Sequence, residues 1–294
     1  MAESSAALSI TPAPVRGRSV RASGLSWNVR QQGTGPVLLL VHGTGSSSHS
    51  WHALIPLLAR DFSVIAPDLP GHGLSTLAGQ EQLSLPGMAR ALHALLQVLG
   101  AQPQVVCGHS AGAAILLRMT LDRMLDPRLV ISVNGALLPL RGLPPRLLSP
   151  VAKALARSSV VPRLLARRAA RGEALERLLA QTGSQLSPAG IAQYRELVRQ
   201  PKHVAAALGM MAQWNLSTLA RELVELTVPL ILVTGSNDRT VSPTEADLLS
   251  RSIPRARRVS LEGLGHLAHE ERPAAVARLI GECAAQYAVI PAPC

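Results

Sequence analysis

Aromatic side chains are scarce in this chain of 294 residues, since Phe, Trp and Tyr together make up only 2%. Proteins that bind single-stranded nucleic acid stack successive bases on repeated aromatic side chains, so the scarcity argues against this class. No helix-turn-helix pattern or zinc-ligand spacing accompanies the basic residues either. We therefore expect no nucleic-acid partner.

Long apolar runs and paired cysteines are also lacking. The first twenty residues contain no apolar run of signal-peptide length, and no window approaches the ~20 apolar residues that a membrane-spanning helix needs. The three cysteines, Cys107, Cys283 and Cys294, form neither a metal-ligand spacing nor an even disulfide set, which agrees with a reducing compartment. We expect a cytoplasmic protein with no metal or other cofactor.

Acidic residues are few. The chain has 18 Asp and Glu residues and 29 Lys and Arg residues, which gives a net charge of +11. The excess is concentrated between residues 141 and 172, a segment with eight basic residues and no acidic one. The eight are Arg141, Arg146, Lys153, Arg157, Arg163, Arg167, Arg168 and Arg171. Such a segment predicts a solvated helical face or contact with an anionic partner.

What the chain does contain is apolar material, 47% of all residues, enough for a sizeable core. Short apolar runs predict strands that alternate with helices of roughly a dozen residues. The predicted strands are Leu25–Arg30, Val37–Val41, Phe62–Ala66, Gln104–Cys107, Leu129–Val133, Pro229–Val233 and Arg257–Leu261, with helices at about 48–60, Pro86–Leu99, Ala111–Met124, after Pro243 and after Arg272. This alternation predicts right-handed crossovers and a doubly wound, mostly parallel α/β sheet.

Two stretches fall outside that alternation. Residues 1–20 have no periodicity and are predicted to be a poorly ordered lead-in. Residues 136–222 contain helical runs, such as Ala174–Ala180 and Ile191–Val198, and no strand-like one, so we predict a helical lid inserted between two strands. The predicted core is then 21–135 together with 223–294.

The clearest motif is the pentapeptide 108–112, Gly-His-Ser-Ala-Gly, which fits the nucleophile-elbow pattern G-x-S-x-G. It lies between a predicted strand and a predicted helix, the context that the motif requires. Its glycines let strand and helix nearly touch, and the serine hydroxyl is then held at the helix N-terminus. We predict that Ser110 is a nucleophile; the alternative is a chance G-x-S-x-G on a glycine-rich turn.

A nucleophilic serine needs a general base, which in turn needs an orienting acid. Of nine histidines, His266 follows the last predicted strand on a glycine-containing loop, at the sheet edge where open α/β sheets bind ligands. His269 is the near rival, but it is predicted to open the final helix. We predict His266 as the base.

Asp238 is the predicted acid, because its loop follows the strand Pro229–Val233 and ends at the same sheet edge. The loop after the preceding strand carries Asn134 where an acid could otherwise stand. Asp68 is interpreted as a salt-bridge or turn residue, and His72 in the turn 70–73 as structural.

An oxyanion formed at Ser110 needs backbone N–H donors within about 3 Å. Residues 42–45, His-Gly-Thr-Gly, directly follow the strand Val37–Val41. We predict the backbone amides of Thr44 and Ala111 as the donors; the alternative is that residues 42–43 form only a tight turn.

Taken together, these motifs resemble the α/β-hydrolase superfamily over about residues 25–288. The resemblance rests on the loops 42–45 and 67–73, the elbow at 108–112, and the pair Gly265–His266, all in the family's order. It implies an α/β-hydrolase fold with an inserted lid and a Ser110, Asp238, His266 triad. Serine at position 110 disfavours haloalkane dehalogenases and epoxide hydrolases, which use a carboxylate nucleophile, whereas cofactor-free haloperoxidases remain an alternative.

Within that superfamily the sequence is most similar to the hydrolase-like accessory proteins of magnesium chelatase found in bacteriochlorophyll gene clusters. The similarity lies in residues 42–51, 108–116 and 213–216. It implies a role near magnesium insertion into protoporphyrin, without specifying a reaction.

Two hypotheses follow. In the first, the protein is a serine hydrolase of the carboxyl-ester type that acts on a small molecule. In the second, it is a non-catalytic accessory protein that binds porphyrin or contacts magnesium chelatase. The basic lid is either solvated, or lies on an anionic membrane surface, or receives substrate carboxylates such as porphyrin propionates.

Overall fold

The computed structural model describes residues 17–77, 79–139, 160–169 and 173–291. Eight strands form one sheet in the order β1-β2-β4-β3-β5-β6-β7-β8. They are β1 (Arg18–Ala22), β2 (Leu25–Gln32), β3 (Val37–Val41), β4 (Ser63–Pro67), β5 (Val105–His109), β6 (Leu129–Val133), β7 (Leu230–Gly235) and β8 (Ala256–Leu261). β2 pairs antiparallel with both of its neighbours, β1 and β4. All other neighbouring strands pair parallel. The predicted doubly wound, mostly parallel sheet is confirmed.

Helices cover both faces of the sheet. They are α1 (Ile55–Leu58), α2 (Leu85–Leu99), α3 (Ala111–Leu121), α4 (Val161–Ala169), α5 (Ala174–Gln181), α6 (Pro188–Val198), α7 (Pro201–Gln213), α8 (Ser217–Glu222), α9 (Pro243–Ser252), α10 (Ala268–Glu271) and α11 (Pro273–Gln286). Single 3₁₀ turns occur at Ser48–Trp51, Glu81–Leu83 and Leu223–Glu225. We call the described residues 160–169 and 173–222, which contain α4 to α8, the helical insertion.

The central strands β5, β6 and β7 are buried at every position, and β3 is apolar throughout, because both faces of the sheet are covered. In β3, Leu39 and Val41 belong to the core packed against α2 and α3, while Leu38 and Leu40 belong to the core on the opposite face. All four side chains are fully buried. Each contributes roughly 1.5–3 kcal/mol by leaving water. The sheet is thus a rigid platform, and the carboxyl ends of β3 to β8 lie along one edge of it.

The helix predicted at about 48–60 is wrong as a continuous element. The structure has a 3₁₀ turn at Ser48–Trp51 and then the short helix α1. Pro56 lies in the first turn of α1 and has no N–H to continue a helix from the residues before it. The Ser48 amide is engaged elsewhere, since it donates to Asp68 Oδ1 at 2.7 Å.

The predicted lead-in 1–20 is also wrong at its end, because Arg18–Val20 belong to the edge strand β1. Only Val20 and Ala22 of this strand point into the core, which is too short an alternation to be recognised from sequence. Pairing with β2 provides the rest of the strand's stability. Residues 1–16 lie outside the described residues.

Three of the eight basic residues between 141 and 172 are described: Arg163, Arg167 and Arg168 are exposed on α4. The other five lie outside the described residues. Within the described part of the chain, no helix combines the length and apolar character needed to cross a bilayer.

Candidate active site

The Gly-His-Ser-Ala-Gly segment forms a sharp turn from β5 into α3. Ser110 has φ 50° and ψ −119°, a conformation that costs a non-glycine residue of order 1–3 kcal/mol. A Cβ at Gly108 would lie 2.4 Å from the Ala113 nitrogen, and one at Gly112 would lie 2.2 Å from the Val41 oxygen. Strand and helix therefore meet backbone to backbone, as predicted, and Ser110 is partly exposed at the turn.

Both predicted oxyanion donors lie beside this turn. Ala111 is the first residue of α3, where a backbone amide has no partner within the helix. A Cβ at Gly43 would lie 3.0 Å from Ser110 Cβ, so the chain leading into Thr44 passes directly against the serine. Among the described residues no hydrogen bond uses the Thr44 amide. Their role as an oxyanion hole stays a prediction.

The structure joins the predicted acid and base. His266 Nδ1 donates to Asp238 Oδ2 at 2.8 Å, and the two side chains are only 7% and 1% exposed. Asp238 Oδ1 accepts the backbone amides of Thr240 at 2.7 Å and Val241 at 3.0 Å. Since a carboxylate only accepts, the proton of a neutral His266 lies on Nδ1 and the lone pair on Nε2. Nε2 is the nitrogen that can act as a base.

His109 brings this pair next to the elbow. Its Nε2 donates to the His266 carbonyl oxygen at 2.9 Å, and the two imidazole rings have centroids 4.7 Å apart. Complete burial lowers the pKa of His109 well below its usual value, so the ring stays a neutral donor. Because His109 immediately precedes Ser110, this contact fixes the loop of the general-base candidate next to the nucleophile candidate, although no hydrogen bond joins Ser110 to His266 among the described residues.

Asn134 has a positioning role that the sequence did not reveal. Its Nδ2 donates to the carbonyl oxygens of Gly265 at 3.0 Å and His266 at 2.8 Å, and its Oδ1 accepts the Gly235 amide at 2.8 Å. A carboxylate could not donate to those carbonyls. At this position the sequence indicated only a missing acid, whereas the structure shows an amide that links the ends of β6 and β7 to the His266 loop.

His269, the rival base, occupies a different environment. It is fully buried in α10, with ring centroids 4.4 Å from both Trp51 and His109. Neither ring nitrogen has a hydrogen-bond partner among the described residues. Burial, followed by the neighbouring His266, lowers the pKa of His269 to about 3. The ring is a neutral packing element and makes no hydrogen bond with Asp238.

Asp68 is a structural residue, as interpreted from the sequence. Its Oδ1 accepts the Ser48 amide, and its Oδ2 accepts Asn28 Nδ2 at 2.8 Å and the Leu74 amide at 2.9 Å. The carboxylate thereby fastens β2 and two loops together. No imidazole bonds this carboxylate among the described residues.

Three further histidines also hold loops together through hydrogen bonds to the backbone. His42 Nδ1 donates to the Gly43 carbonyl at 2.8 Å, and its Nε2 accepts the Leu69 amide at 2.9 Å. His72 Nδ1 donates to the Pro70 carbonyl at 3.1 Å. His203, on α7, accepts the Gly73 amide at 3.1 Å and donates to the Gly45 carbonyl at 3.1 Å. These rings connect the loops after β3 and β4 to the helical insertion.

A buried acid beside the site was also missed. Tyr194 on α6 donates its hydroxyl to Glu270 Oε1 at 2.6 Å and lies 3.3 Å from Ser46 Oγ. Burial raises the pKa of Glu270 to about 8. Neither residue belongs to a motif, and they are 76 positions apart, so no local pattern could have paired them. Throughout the described ranges, including this site, no cluster of three or more His, Cys, Asp or Glu side chains could hold a metal ion.

Residues 38–279 of the chain match the family model described as "Alpha/beta hydrolase family". The chain belongs to the alpha/beta hydrolase family. The predicted membership is therefore confirmed, and the match includes the strand and the helix that flank the elbow and the loops that carry Asp238 and His266.

Named relatives of this alpha/beta hydrolase differ in role. It is 39% identical over 252 residues to the "Magnesium-chelatase 30 kDa subunit" of Rhodobacter capsulatus, covering 85% of this chain and 88% of that one. It is 28% identical to the "Pimeloyl-[acyl-carrier protein] methyl ester esterase" of Aeromonas hydrophila, covering 82% and 92%. An alpha/beta hydrolase fold protein from Burkholderia ambifaria superposes with a TM-score of 0.76 at 24% identity, covering 90% and 96%. That last likeness concerns the fold alone.

Proposed function

We propose that this alpha/beta hydrolase is a serine hydrolase that cleaves an ester-type bond in a small molecule. The observation that carries the proposal is the 2.8 Å hydrogen bond between His266 Nδ1 and Asp238 Oδ2. The His266 ring packs against the ring of His109, the residue before the strained turn at Ser110. That bond leaves Nε2 as the free nitrogen of the base. The family match supports a hydrolase of some kind.

In the proposed mechanism Ser110 Oγ attacks the ester carbonyl carbon while its proton moves to His266 Nε2. The carbonyl oxygen becomes an oxyanion that the Thr44 and Ala111 amides stabilise, supported by the N-terminus of α3. The tetrahedral intermediate collapses as His266 protonates the leaving alcohol, and an acyl-enzyme remains. Water, deprotonated by His266, then releases the acid.

Labelling with a fluorophosphonate probe tests this proposal. We expect the wild type to be labelled covalently and Ser110→Ala to show no labelling. Ser187→Ala is the matched control, because this serine is exposed and its hydroxyl only caps α6 by accepting the Gly190 amide. A wild type that stays unlabelled where an ordinary esterase reacts contradicts the proposal.

The relative named as a methyl ester esterase supports an ester as the substrate class. A panel of acyl methyl esters and the corresponding amides, assayed with wild type and Ser110→Ala, distinguishes ester cleavage from other hydrolase chemistry. Turnover of the esters that depends on Ser110 is the expected result. Equal or faster turnover of the amides contradicts the ester assignment.

A second candidate function is favoured by the relative named as a magnesium-chelatase subunit. We propose as the alternative that the chain serves bacteriochlorophyll synthesis around magnesium chelation, by binding a porphyrin or contacting the chelatase, without using its triad. Titration of the purified protein with protoporphyrin, followed by absorbance, tests the porphyrin version. Saturable binding that Ser110→Ala retains, with no labelling of the wild type, favours this alternative; absence of saturable binding contradicts it.

We propose that the helical insertion is a lid and that the exposed face of its helix α4 contacts an acidic partner. Arg163, Arg167 and Arg168 are exposed there beside Val160 and Leu164, which are 64% and 63% exposed. Such a surface suits an anionic membrane or substrate carboxylates.

Flotation with vesicles containing anionic lipid tests the peripheral membrane version. We expect a triple Gln variant of the three α4 arginines to lose binding. A triple Gln variant of Arg60, Arg251 and Arg278 removes the same charge from exposed positions of the core and serves as the control. Equal flotation of wild type and both variants contradicts the membrane contact, and protoporphyrin affinity measured on the same variants tests the carboxylate version.

A further inference from the structure

The loop between α5 and α6, Thr182–Gln185, lies between the loop that carries Asp238 and the loop that carries His266. We call it the insertion loop. It belongs to the helical insertion, more than forty residues before Asp238 in the chain, yet its backbone and side chains bind both loops.

On the acid side, the insertion loop contacts the residues on either side of Asp238. The Arg239 amide donates to the Thr182 carbonyl at 3.2 Å, and Asn237 Nδ2 donates to the Gly183 carbonyl at 2.7 Å. Asp238 is thus held from both of its neighbours by a segment that is not part of the sheet.

On the base side, the contact includes the histidine itself. The His266 amide donates to the same Thr182 carbonyl at 3.2 Å, and the Leu267 amide donates to Ser184 Oγ at 2.7 Å. The Glu271 carboxylate accepts the Gln185 amide at 3.0 Å and the Gly265 amide at 2.8 Å. One carbonyl oxygen therefore connects the acid loop to the base.

Close packing accompanies these hydrogen bonds. Gly183 has φ 82°, and a Cβ there would lie 2.0 Å from the Asn237 oxygen; a Cβ at Gly265 would lie 2.3 Å from the carbonyl carbon of Gly183. The Leu267 side chain packs with Leu175 and other residues of α5 and α6 in a small core of their own. The three segments are therefore in backbone-to-backbone contact, and a side chain at either glycine would clash with its neighbour.

We propose that the insertion loop is a positioning clamp for the Asp238–His266 pair, so that the helical insertion is part of the catalytic assembly as well as a cover. The proposal rests on the proposed serine-hydrolase function. Catalytic groups need to be held within about 0.5 Å of their productive geometry, which loops achieve through supporting contacts. The two loops bond each other directly where the Asn237 amide donates to the Leu264 carbonyl at 2.9 Å. The insertion loop adds the shared Thr182 carbonyl next to Asp238 and His266 themselves, and Ser184 holds the residue after His266.

The competing explanation is that these bonds only fasten the insertion to the core. The two explanations predict different effects when one of these hydrogen bonds is removed from a protein that still folds. A fastening defect lowers the free energy of unfolding and leaves the His266–Asp238 bond unchanged. A clamp defect loosens that bond in the folded protein.

Ser184→Ala is the central variant, because it removes the acceptor of the Leu267 amide while the backbone bonds remain. Ser184→Thr restores the hydroxyl. Ser187→Ala is the matched control, since it also removes a serine hydroxyl that accepts a backbone amide of the same insertion, but on its exposed side. Asn237→Ala weakens the clamp from the acid side and serves where Ser184→Ala fails to fold.

Two measurements are made on each folded variant. The first is the rate constant of fluorophosphonate labelling as a function of pH. The second is the far-downfield proton NMR resonance of the His266 Nδ1–H that bonds Asp238, identified by its loss in Asp238→Asn. This resonance reports on the pair whether or not Ser110 is reactive.

We expect Ser184→Ala and Asn237→Ala to lower the labelling rate constant by about 10- to 100-fold, and to broaden or abolish the downfield resonance. Ser184→Thr should recover the rate to within about threefold, and Ser187→Ala should behave as the wild type. A folded Ser184→Ala or Asn237→Ala with the wild-type rate and resonance overturns the clamp. If the wild type is not labelled at all, the proposed function fails, and the resonances alone decide on the clamp.

Discussion

The loops after β3 and β4 and the loops after β7 and β8 lie along the same edge of the sheet, and each pair contains a histidine and an aspartate. In the first pair His42 uses both ring nitrogens and Asp68 uses both oxygens in hydrogen bonds that hold loops together. In the second pair Asp238 gives one oxygen to backbone amides and the other to His266. No hydrogen bond within the described residues occupies Nε2 of His266.

A histidine and an aspartate at the carboxyl edge of the sheet therefore do not by themselves form a catalytic site. Asp68 and Asp238 are both buried and both follow a parallel strand. A histidine or carboxylate whose polar atoms are all satisfied by the protein contributes to stability. One that keeps a single atom free and accessible, held in place through its other atoms, can transfer a proton. The unpartnered Nε2 of His72 and Nδ1 of His109 are sealed in the interior and do not meet this condition.

Substitution of Asp238 by Asn is the strongest test of this comparison. The amide can present its N–H to His266, which favours the tautomer with the proton on Nε2 and removes the base. We expect the fluorophosphonate labelling rate to fall by about 10⁴-fold, with little change in the thermal midpoint. A rate within tenfold of the wild type would place Asp238 with Asp68 among the structural carboxylates.

Glu270 provides a third type of buried carboxyl, and its effect should appear in the pH dependence of stability. Its side chain is 5% exposed, and burial raises its pKa from 4.5 to about 8. Between these values the folded chain keeps a proton that the unfolded chain has released, so the free energy of unfolding falls as the pH rises. His269, 3.8 Å away, stays neutral there because its pKa is lowered to about 3.

We expect the wild type to lose a few kcal/mol of stability between about pH 5 and pH 8, at ~1.4 kcal/mol per pH unit where one proton differs. Glu270→Gln should flatten this slope while keeping a partner for the Tyr194 hydroxyl. Urea unfolding at several pH values measures it, with Glu196→Gln on the exposed side of α6 as the control. Parallel slopes in wild type and Glu270→Gln would exclude this role.

Asp68→Asn should lower the free energy of unfolding and leave the labelling rate of the folded protein nearly unchanged. The neutral amide loses charge-assisted bonds from the Ser48 and Leu74 amides, and one of its own N–H groups then faces a donor. We expect a loss of about 3 kcal/mol in the free energy of unfolding, with labelling of the folded protein within about threefold of the wild type. A large drop in labelling without loss of stability would show that both halves of the edge take part in catalysis.

The smallest effect is expected at His269. Both of its ring nitrogens lack partners among the described residues, and it lies between two aromatic rings. An apolar ring relieves those unsatisfied groups, so His269→Phe should change the free energy of unfolding by less than about 1 kcal/mol. Labelling should change less than about threefold. A strong loss of labelling in this variant, measured beside His266→Phe, would reopen the choice of base.

Much of this site could be predicted because its parts are local. The elbow depends on glycines two positions from Ser110, and their close contacts with Ala113 and Val41 are those that the motif demands. The strands β3 and β6 begin and end where the apolar runs do. Asp238 and His266 follow their strands closely, so sheet geometry alone brings them to one edge.

The missed features depend on partners distant in the chain. Asn134 bonds residues more than a hundred positions away, and the insertion loop bonds residues that lie some fifty to eighty-six positions beyond it. Hydrophobic periodicity records which face of an element is buried and carries no information on which loop lies opposite. The broken helix at 48–60 has the same origin, since the Ser48 amide is held by Asp68 on another loop.

The sequence by itself determined the mostly parallel sheet, the position of the elbow and the edge at which polar side chains collect, because these follow from short-range patterns of apolar residues and glycine. Only the tertiary structure showed the hydrogen bond between the predicted Asp238 and His266, the packing of His269 between two aromatic rings, the role of Asn134, and the contacts of the helical insertion with the loops of Asp238 and His266. The physical reason is that hydrogen bonds satisfy one polar atom at a time. The free atom that chemistry needs is what remains after all long-range partners have been placed.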